Sequence, residues 1–506
     1  MTEETSTIVV SPGSFSRPLG NLEVFFKTLA DLGAPLQREH WAVHLALRLN
    51  FISGGNIDIS DPEPYLRRAW QLVRRQHPAI GSTISPAAHA SRERLNIAPF
   101  DADAWVNDTF VVHRDHGNAD AFFSNIRPSP TTMCYWLPSS SEIVIRSSHW
   151  RLDGIGMLML GHSFLTALAE VLRLGPNEAS LDAYTENLPL SAQPLPQNLE
   201  ELASKGSGAG SDKNDIDSGV ELRTGAGADT LVAEFLRGVP SIGLPTRPDS
   251  ENIPPGASAR SQVRLDAATT AKLTAARRAK GFSFTGAVHA AIVRVTVGFP
   301  QHPLSKAYAA FFPVDLRKCL AATDVVAEDE LVFGLYFSGL PVCVDGMVSS
   351  DNETPASKSY EDVAREMTAV YGRDLAKFWT APDGQVVSLL ELAEPYLTRT
   401  TALFSAPVPE GLPPIQTPDL SGLGKVEAYL QREYESSPEA PKVEVADMWI
   451  ATEMLNRSIQ FHVWAWKDEL SIGASFNQSF YEKSFVVEVL GKVVKELLTG
   501  LGIDEQ

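Results

Sequence analysis

The sequence predicts a mixed α/β protein, its helices and mixed sheets gathered into two lobes. Three observations lead there. The chain has 506 residues, more than one hydrophobic core organises before a fold divides. Strand-like and helix-like segments interleave in both halves, the pattern of sheets packed with helices. Between the halves lies a stretch almost free of large apolar side chains. Hydrophobic residues make up 44% and charged residues 21%, which is globular composition and leaves little room for wholesale disorder. No short fixed period is present, so a solenoid or propeller is not expected.

The elements follow in order. Asp61 to Gln76 reads as a helix, with Asp61 as N-cap, Pro62 in the first turn, and Leu66, Ala69, Trp70 and Val73 at helical spacing. Pro78 stops it. Ile143, Val144 and Ile145 form a β-branched strand that runs into Ser147, Ser148 and His149. Gly154 and Gly156 then break the chain, and Met157, Leu160, Phe164, Leu165, Leu168 and Leu172 mark one face of a helix. The window Gly154 to Leu172 is the most apolar in the chain, but with His162, Ser163 and Glu170 it reads as amphipathic, too short and too polar to span a bilayer.

Ser204 to Asp229 has the Gly, Ser, Ala and Asp composition of a flexible insert, and Pro240, Pro245, Pro248, Pro254 and Pro255 then predict an extended crossover. The expected organisation is therefore a first lobe over 1–203, an insert and linker over 204–260, and a second lobe over 261–506. In that second lobe Asp266 caps a helix through Lys280 that Gly281 closes, and Ser283 caps the next, whose Ala287, Ala290, Ala291, Ile292 and Val295 face inward. Tyr308–Val314, Leu331–Val344, Gly424–Tyr429, Ile459–Trp466 and Leu470–Phe476 read as strands, and Glu482–Leu498 as the final helix.

Charge and cysteine content narrow the class. Lys and Arg number 43 against 62 Asp and Glu, and the net charge of −19 repels phosphate backbones and anionic lipid. Nucleic acid is not an expected partner, although a local basic pocket can still hold an anionic ligand within a Debye length. Cys134, Cys319 and Cys343 are too few and unpatterned for a disulfide scaffold and suit a reducing compartment. Met1 to Thr7 lacks the basic start of a secretory signal, so a soluble, cytoplasmic protein is expected.

The informative string is Ser148-His149-Trp150-Arg151-Leu152-Asp153-Gly154, an HxxxDG motif at the end of a predicted strand. With 11 His in the chain, a chance His followed by Asp four and Gly five positions on is expected about 0.05 times at ordinary residue frequencies. A histidine with one free ring nitrogen takes the proton of an alcohol or amine as it attacks a carbonyl. A tight turn lets its other nitrogen bond its own or a neighbouring carbonyl. Asp153 is expected at the mouth of the helix that begins at Gly154, where N–H groups and the dipole favour negative charge. The competing reading is a hydrogen-bonded core histidine beside a plain turn.

His149 to Gly154 resembles the HxxxDG signature of the chloramphenicol-acetyltransferase-like superfamily, which includes plant BAHD acyltransferases, condensation domains of nonribosomal peptide synthetases and fungal trichothecene O-acetyltransferases. Arg17-Pro18-Leu19-Gly20 with Glu23, and Ala69-Trp70 through His77-Pro78, resemble the fungal branch. Gly281-Phe282-Ser283-Phe284-Thr285, Pro313-Val314-Asp315-Leu316-Arg317, Leu420-Ser421-Gly422-Leu423-Gly424 and Ser475-Phe476-Asn477 fall in the superfamily's order. The resemblance implies two similar lobes forming a pseudo-dimer with a tunnel between them, His149 as general base, Asp153 as structural support and Gly154 at the helix start. It implies Arg317 as the salt-bridge partner of Asp153, with Arg151 as the second choice. Ser421, Ser475 and Asn477 are candidate oxyanion or pocket residues. The DFGWG string of BAHD enzymes is absent, and Ser148 stands where condensation domains carry a further histidine.

The implied activity is acyl transfer, with acetyl-CoA or another acyl-CoA as co-substrate, to a hydroxyl of a small lipophilic secondary metabolite, by a monomer without metal. Condensation-type amide or ester formation, a cyclisation, and a non-catalytic binding protein on the same fold are the alternatives. Other motifs are set aside. His113 and His116 have metal-pair spacing but no partner cluster, and the glycines near Gly206 and Gly225 read as linker. Gly161-His162-Ser163 departs from GxSxG at Leu165, and Trp449, Trp464 and Trp466 read as core aromatics.

Overall fold

The computed structural model describes residues 8–11, 13–54, 59–85, 92–115, 117–176, 195–206, 218–323, 326–348, 358–407 and 409–503. It divides into two compact units, one of Met1–Asn198, Asp329–Leu335 and Val426–Thr452, the other of Leu199–Glu328, Tyr336–Lys425 and Glu453–Gln506. Each is a mixed α/β body with its own core.

The first unit is organised by a six-stranded sheet in the order Glu433–Tyr434, Lys442–Thr452, Val43–Ile52, Glu142–Ser147, Met133–Leu137, Phe110–Val112. Neighbours pair antiparallel except the last two, which are parallel. The Val43–Ile52 and Glu142–Ser147 strands sit centrally, and Leu45, Leu47, Ile143, Val144 and Ile145 are fully buried. The helix Gly154–Leu174 packs on this sheet. A Cβ at Gly161 would stand 2.7 Å from Leu45 Cδ2, so glycine is what lets helix and strand approach this closely. At 21 residues this helix is long and apolar enough to cross a membrane, which corrects the expectation that it is too short and too polar. It fills the core instead, with Met157, Leu160, Phe164, Leu165, Leu168 and Leu172 all buried.

The predicted helix near residue 61 runs Glu63–Gln76. Asp61 still accepts from the Glu63 N–H, but Pro62 holds the cap position. A second, four-stranded antiparallel sheet in this unit brings Ile8–Ser11, Ser14–Pro18, Arg94–Ile97 and Thr83–Ser85 together.

The second unit carries a four-stranded sheet in the order Asp419–Lys425, Gln460–Trp466, Glu469–Asn477, Ser258–Leu265, with only the first pair parallel. Asp266 and Ser283 cap their helices as expected, each side chain accepting an N–H three residues on. Trp464 and Trp466 are buried strand aromatics here, as Trp449 is in the first unit.

Three expectations are corrected. Of the stretch taken as a flexible insert, residues 207–217 lie outside the described residues, and its end carries the helix Ser218–Leu236, with Ala228 and Leu231 buried. A Cβ on its Gly227 would come within 2.8 Å of Leu392 and 3.0 Å of Trp379. The small residues that mimic a linker serve close packing against the helix Leu389–Ser405. The strand predicted from Leu331 begins only at Phe337, and Asp329–Leu335 joins the first unit. The strand predicted over Gly424–Tyr429 ends at Lys425, because Val426–Ala428 turns as a 3-10 helix.

Candidate active site

His149 sits in a tight turn between the buried strand Glu142–Ser147 and the helix Gly154–Leu174. The turn closes through the Arg151 N–H donating to the Ser148 carbonyl at 3.1 Å. It is pinned from inside by Arg151, whose guanidinium donates to the Ser82 and Pro130 carbonyls at 2.7 and 2.8 Å and to the Ser82 and Ser147 hydroxyls at 3.2 and 3.4 Å. That charge also lies 4.3 Å from the Trp150 ring centroid, and burial pulls its pKa down to about 9. From outside, the chain around Gly334 docks on the turn. The Gly334 N–H donates to the Arg151 carbonyl at 3.0 Å, and Leu152 bridges to Gly334.

Asp153 is the N-cap of the long helix, accepting the Gly156 N–H at 2.8 Å, and Gly154 is the first helical residue. The carboxylate thus meets the positive end of the helix, as the sequence suggested. One turn of chain therefore holds His149, Asp153 and Gly154 together.

His149 as a whole residue is partly exposed, while Nδ1 of its imidazole is buried. One face lies flat on Phe26, ring centroids 4.0 Å apart and planes 9° from parallel. Phe26 is itself braced by Phe25 and Trp41 at 5.1 and 5.6 Å, and Trp41 stacks on His40 at 4.6 Å. Trp41 adopts φ +62°, a left-handed conformation that a bulky residue occupies only at a cost of about 1–3 kcal/mol. Burial lowers the His149 pKa to about 4, against opposing pulls from its own backbone carbonyl, Asp153 and Glu39. The ring is therefore neutral at physiological pH, the state in which it can accept a proton. Glu39 makes a fully buried ion pair with Arg146, three residues before the histidine.

None of Phe26, Glu39, Trp41 or Arg146 was singled out from the sequence. Phe26 and Glu39 act on His149 across 123 and 110 positions of chain, with Trp41 and Arg146 behind them, and no local spacing reveals those pairings.

The remaining predicted residues lie in the second unit. Arg317 is fully buried, donates to Asp315 at 2.8 Å, and lies 5.3 Å from the Tyr336 ring. Ser421 stands on the strand Asp419–Lys425 opposite His462, and Ser475 is buried opposite Gln460 on the adjoining pair. Asn477 is committed elsewhere. Its amide donates to the Gly256 and Met454 carbonyls at 2.9 and 2.7 Å and its oxygen accepts the Gly256 and Ser479 N–H groups, both at 3.0 Å. Both amide protons are spent on backbone, so it ties a strand end and is not poised as an oxyanion donor.

Among the described residues no group of three or more His, Cys, Asp or Glu is arranged to hold a metal. His113 packs on Phe122 and Tyr135, and His116 lies outside the described residues. Ser163 Oγ lies 3.1 Å from the Met159 carbonyl and 3.0 Å from His77 Nε2, inside the helix Gly154–Leu174 and not on a strand-to-helix elbow.

A family model described as the phthiocerol/phthiodiolone dimycocerosyl transferase C-terminus matches residues 254–376. The loline biosynthesis cluster 1 transcription factor lolU1 of Epichloe uncinata is 31% identical over 97% of this chain and 96% of its own length. The acetyltransferase pigO of Monascus ruber is 25% identical over 98% of both chains. In fold the chain resembles the trichothecene 15-O-acetyltransferase TRI3 of Fusarium sporotrichioides, with a TM-score of 0.72 at 15% identity, covering 98% of this chain and 97% of that one. At this level of likeness the chain belongs to one family with the fungal biosynthesis-cluster protein lolU1, and its fold is that of the chloramphenicol-acetyltransferase-like acyltransferases.

Proposed function

We propose that this protein transfers an acyl group, acetyl in the first instance, from an acyl-CoA to a hydroxyl of a small lipophilic secondary metabolite, with His149 as general base. The observation that carries the reading is the neutral imidazole of His149, held in a pinned turn between a buried strand and the Asp153-capped helix. In this mechanism the imidazole removes the hydroxyl proton as the oxygen attacks the thioester carbonyl. The new C–O bond forms, the C–S bond breaks, and the proton passes from the imidazolium to the departing thiolate. Holding acceptor and donor beside one base gives much of the rate by orientation, up to about 7–11 kcal/mol. The acetyltransferase names of pigO and the Fusarium enzyme support the acyl group and the oxygen acceptor.

The test is release of free thiol from acetyl-CoA in the presence of candidate alcohols. His149→Ala should lower kcat by about 10²–10⁴-fold while the protein stays folded. Undiminished turnover in that variant removes His149 from the chemistry.

The name of lolU1, a transcription factor, favours a second reading, a binding protein with a regulatory role. The net charge of −19 weighs against DNA as its ligand. Thermal stabilisation by acetyl-CoA without any turnover on any alcohol would favour this second reading.

A further inference from the structure

The sequence carries a motif that the proposed chemistry leaves unused, Arg17-Pro18-Leu19-Gly20 with Glu23. In the structure it is a lock at the head of the helix Asn21–Leu32. Arg17 is fully buried and grips Glu23 through two parallel bonds, both 2.7 Å. It also donates to the Pro196 carbonyl at 2.6 Å and the Pro18 carbonyl at 3.0 Å. Glu23 in turn accepts the Gly20 N–H at 2.8 Å, reaching back to the backbone at the head of the helix. A buried ion pair adds little net stability over apolar packing, but its fork geometry fixes direction. What it fixes here is the helix whose next turn carries Phe26.

Phe26 meets its neighbours in two different ways. Against Phe25 and Trp41 its plane is inclined by 78° and 54°, so those rings pack across it and not in its plane of stacking. Against His149 it lies flat, 9° from parallel. A ring packed against two inclined neighbours is restricted in rotation, and an imidazole lying flat on it at 4.0 Å is hindered from turning about its Cβ–Cγ bond. We propose that Phe26, aimed by the Arg17–Glu23 lock, is the positioning residue that fixes the plane of the His149 imidazole and hence the direction of its ring nitrogens. The role rests on His149 being the base of the proposed reaction, and it acts through that ring without touching substrate.

The experiment has a kinetic arm and a spectroscopic arm on the full chain. Phe26→Leu keeps the site apolar but removes the flat surface, and Phe26→Tyr restores a ring. Phe26→Leu should lower kcat about tenfold or more with KM changed less than about twofold, and Phe26→Tyr should recover most of the loss, since misplacing a reacting group costs rate more than binding. Equal kcat for folded Phe26→Leu and wild type, or a Phe26→Tyr protein as impaired as Phe26→Leu, overturns the proposal. In the spectroscopic arm, protein labelled with 13C in its histidines, His149 assigned by loss of its signal in His149→Gln, should show the carbon-bound protons of His149 shifted upfield by the stacked ring. Ordinary histidine shifts in the wild-type protein overturn the proposal even where Phe26→Leu fails to fold. Wild-type protein that shows the upfield shift but turns over no acetyl-CoA with any alcohol refutes the proposed reaction and leaves the stacking arrangement standing.

Discussion

The depressed pKa of His149 sets a measurable link between pH and stability. The folded protein holds this ring at about 4, against 6.5 for a free histidine. Between those values the unfolded chain binds a proton that the folded protein refuses, so acid favours unfolding. The stabilising contribution is complete above pH 6.5, shrinks as pH falls, and is gone below about 4. At pH 5 the two-state ratio, (1 + 10^1.5)/(1 + 10^−1), is about 30, or about 2 kcal/mol lost relative to pH 8. Solvent at this partly exposed residue makes this an upper figure. His44, His77 and His289 also have pKa values lowered by burial, to about 3, 4 and 3, so the whole protein is acid-sensitive and a difference must be taken. Replacing His149 with Gln removes its titration and leaves the others. Denaturant titrations of both proteins at pH 8 and pH 5 should show wild type losing up to about 2 kcal/mol more than His149→Gln. Identical losses would mean that the folded protein does not hold this ring below its ordinary pKa.

Two further outcomes follow from the same neighbourhood. Asp153→Ala deletes the N-cap of the core helix and should cost about 1 kcal/mol in denaturant unfolding, whereas Asp153→Asn, which can still accept the Gly156 N–H, should cost little. Equal losses for the two would show that the charge, not the cap, matters to stability. Arg17→Met strands the buried Glu23 carboxylate and should cost about 3–5 kcal/mol, with part of it returned in an Arg17→Met, Glu23→Leu double variant. A double variant as unstable as the sum of its parts would argue against direct pairing.

The local string around His149 was readable because everything it encodes lies within one turn of chain. A β-branched run must end where Ser147 and Ser148 begin, Asp153 can cap only a helix that starts after it, and Gly154 tolerates the tight entry. The same holds for Asp266 and Ser283, whose caps are formed within three residues. Composition misled where one residue type serves two purposes. Gly and Ala loosen a chain in solvent but permit close approach in a packed helix, and Ser218–Leu236 uses them in the second way.

Contacts made at long range were a different matter. Phe26 and Glu39 lie more than a hundred positions from the histidine they influence, and Gly334 clamps the turn from the middle of the chain. The side-chain chemistry and its immediate backbone frame could be read from residue order, because periodicity and capping are local energies. The ring's protonation state, its fixed plane and the lock behind it arise from desolvation and packing among distant segments, and those terms exist only once the chain has folded.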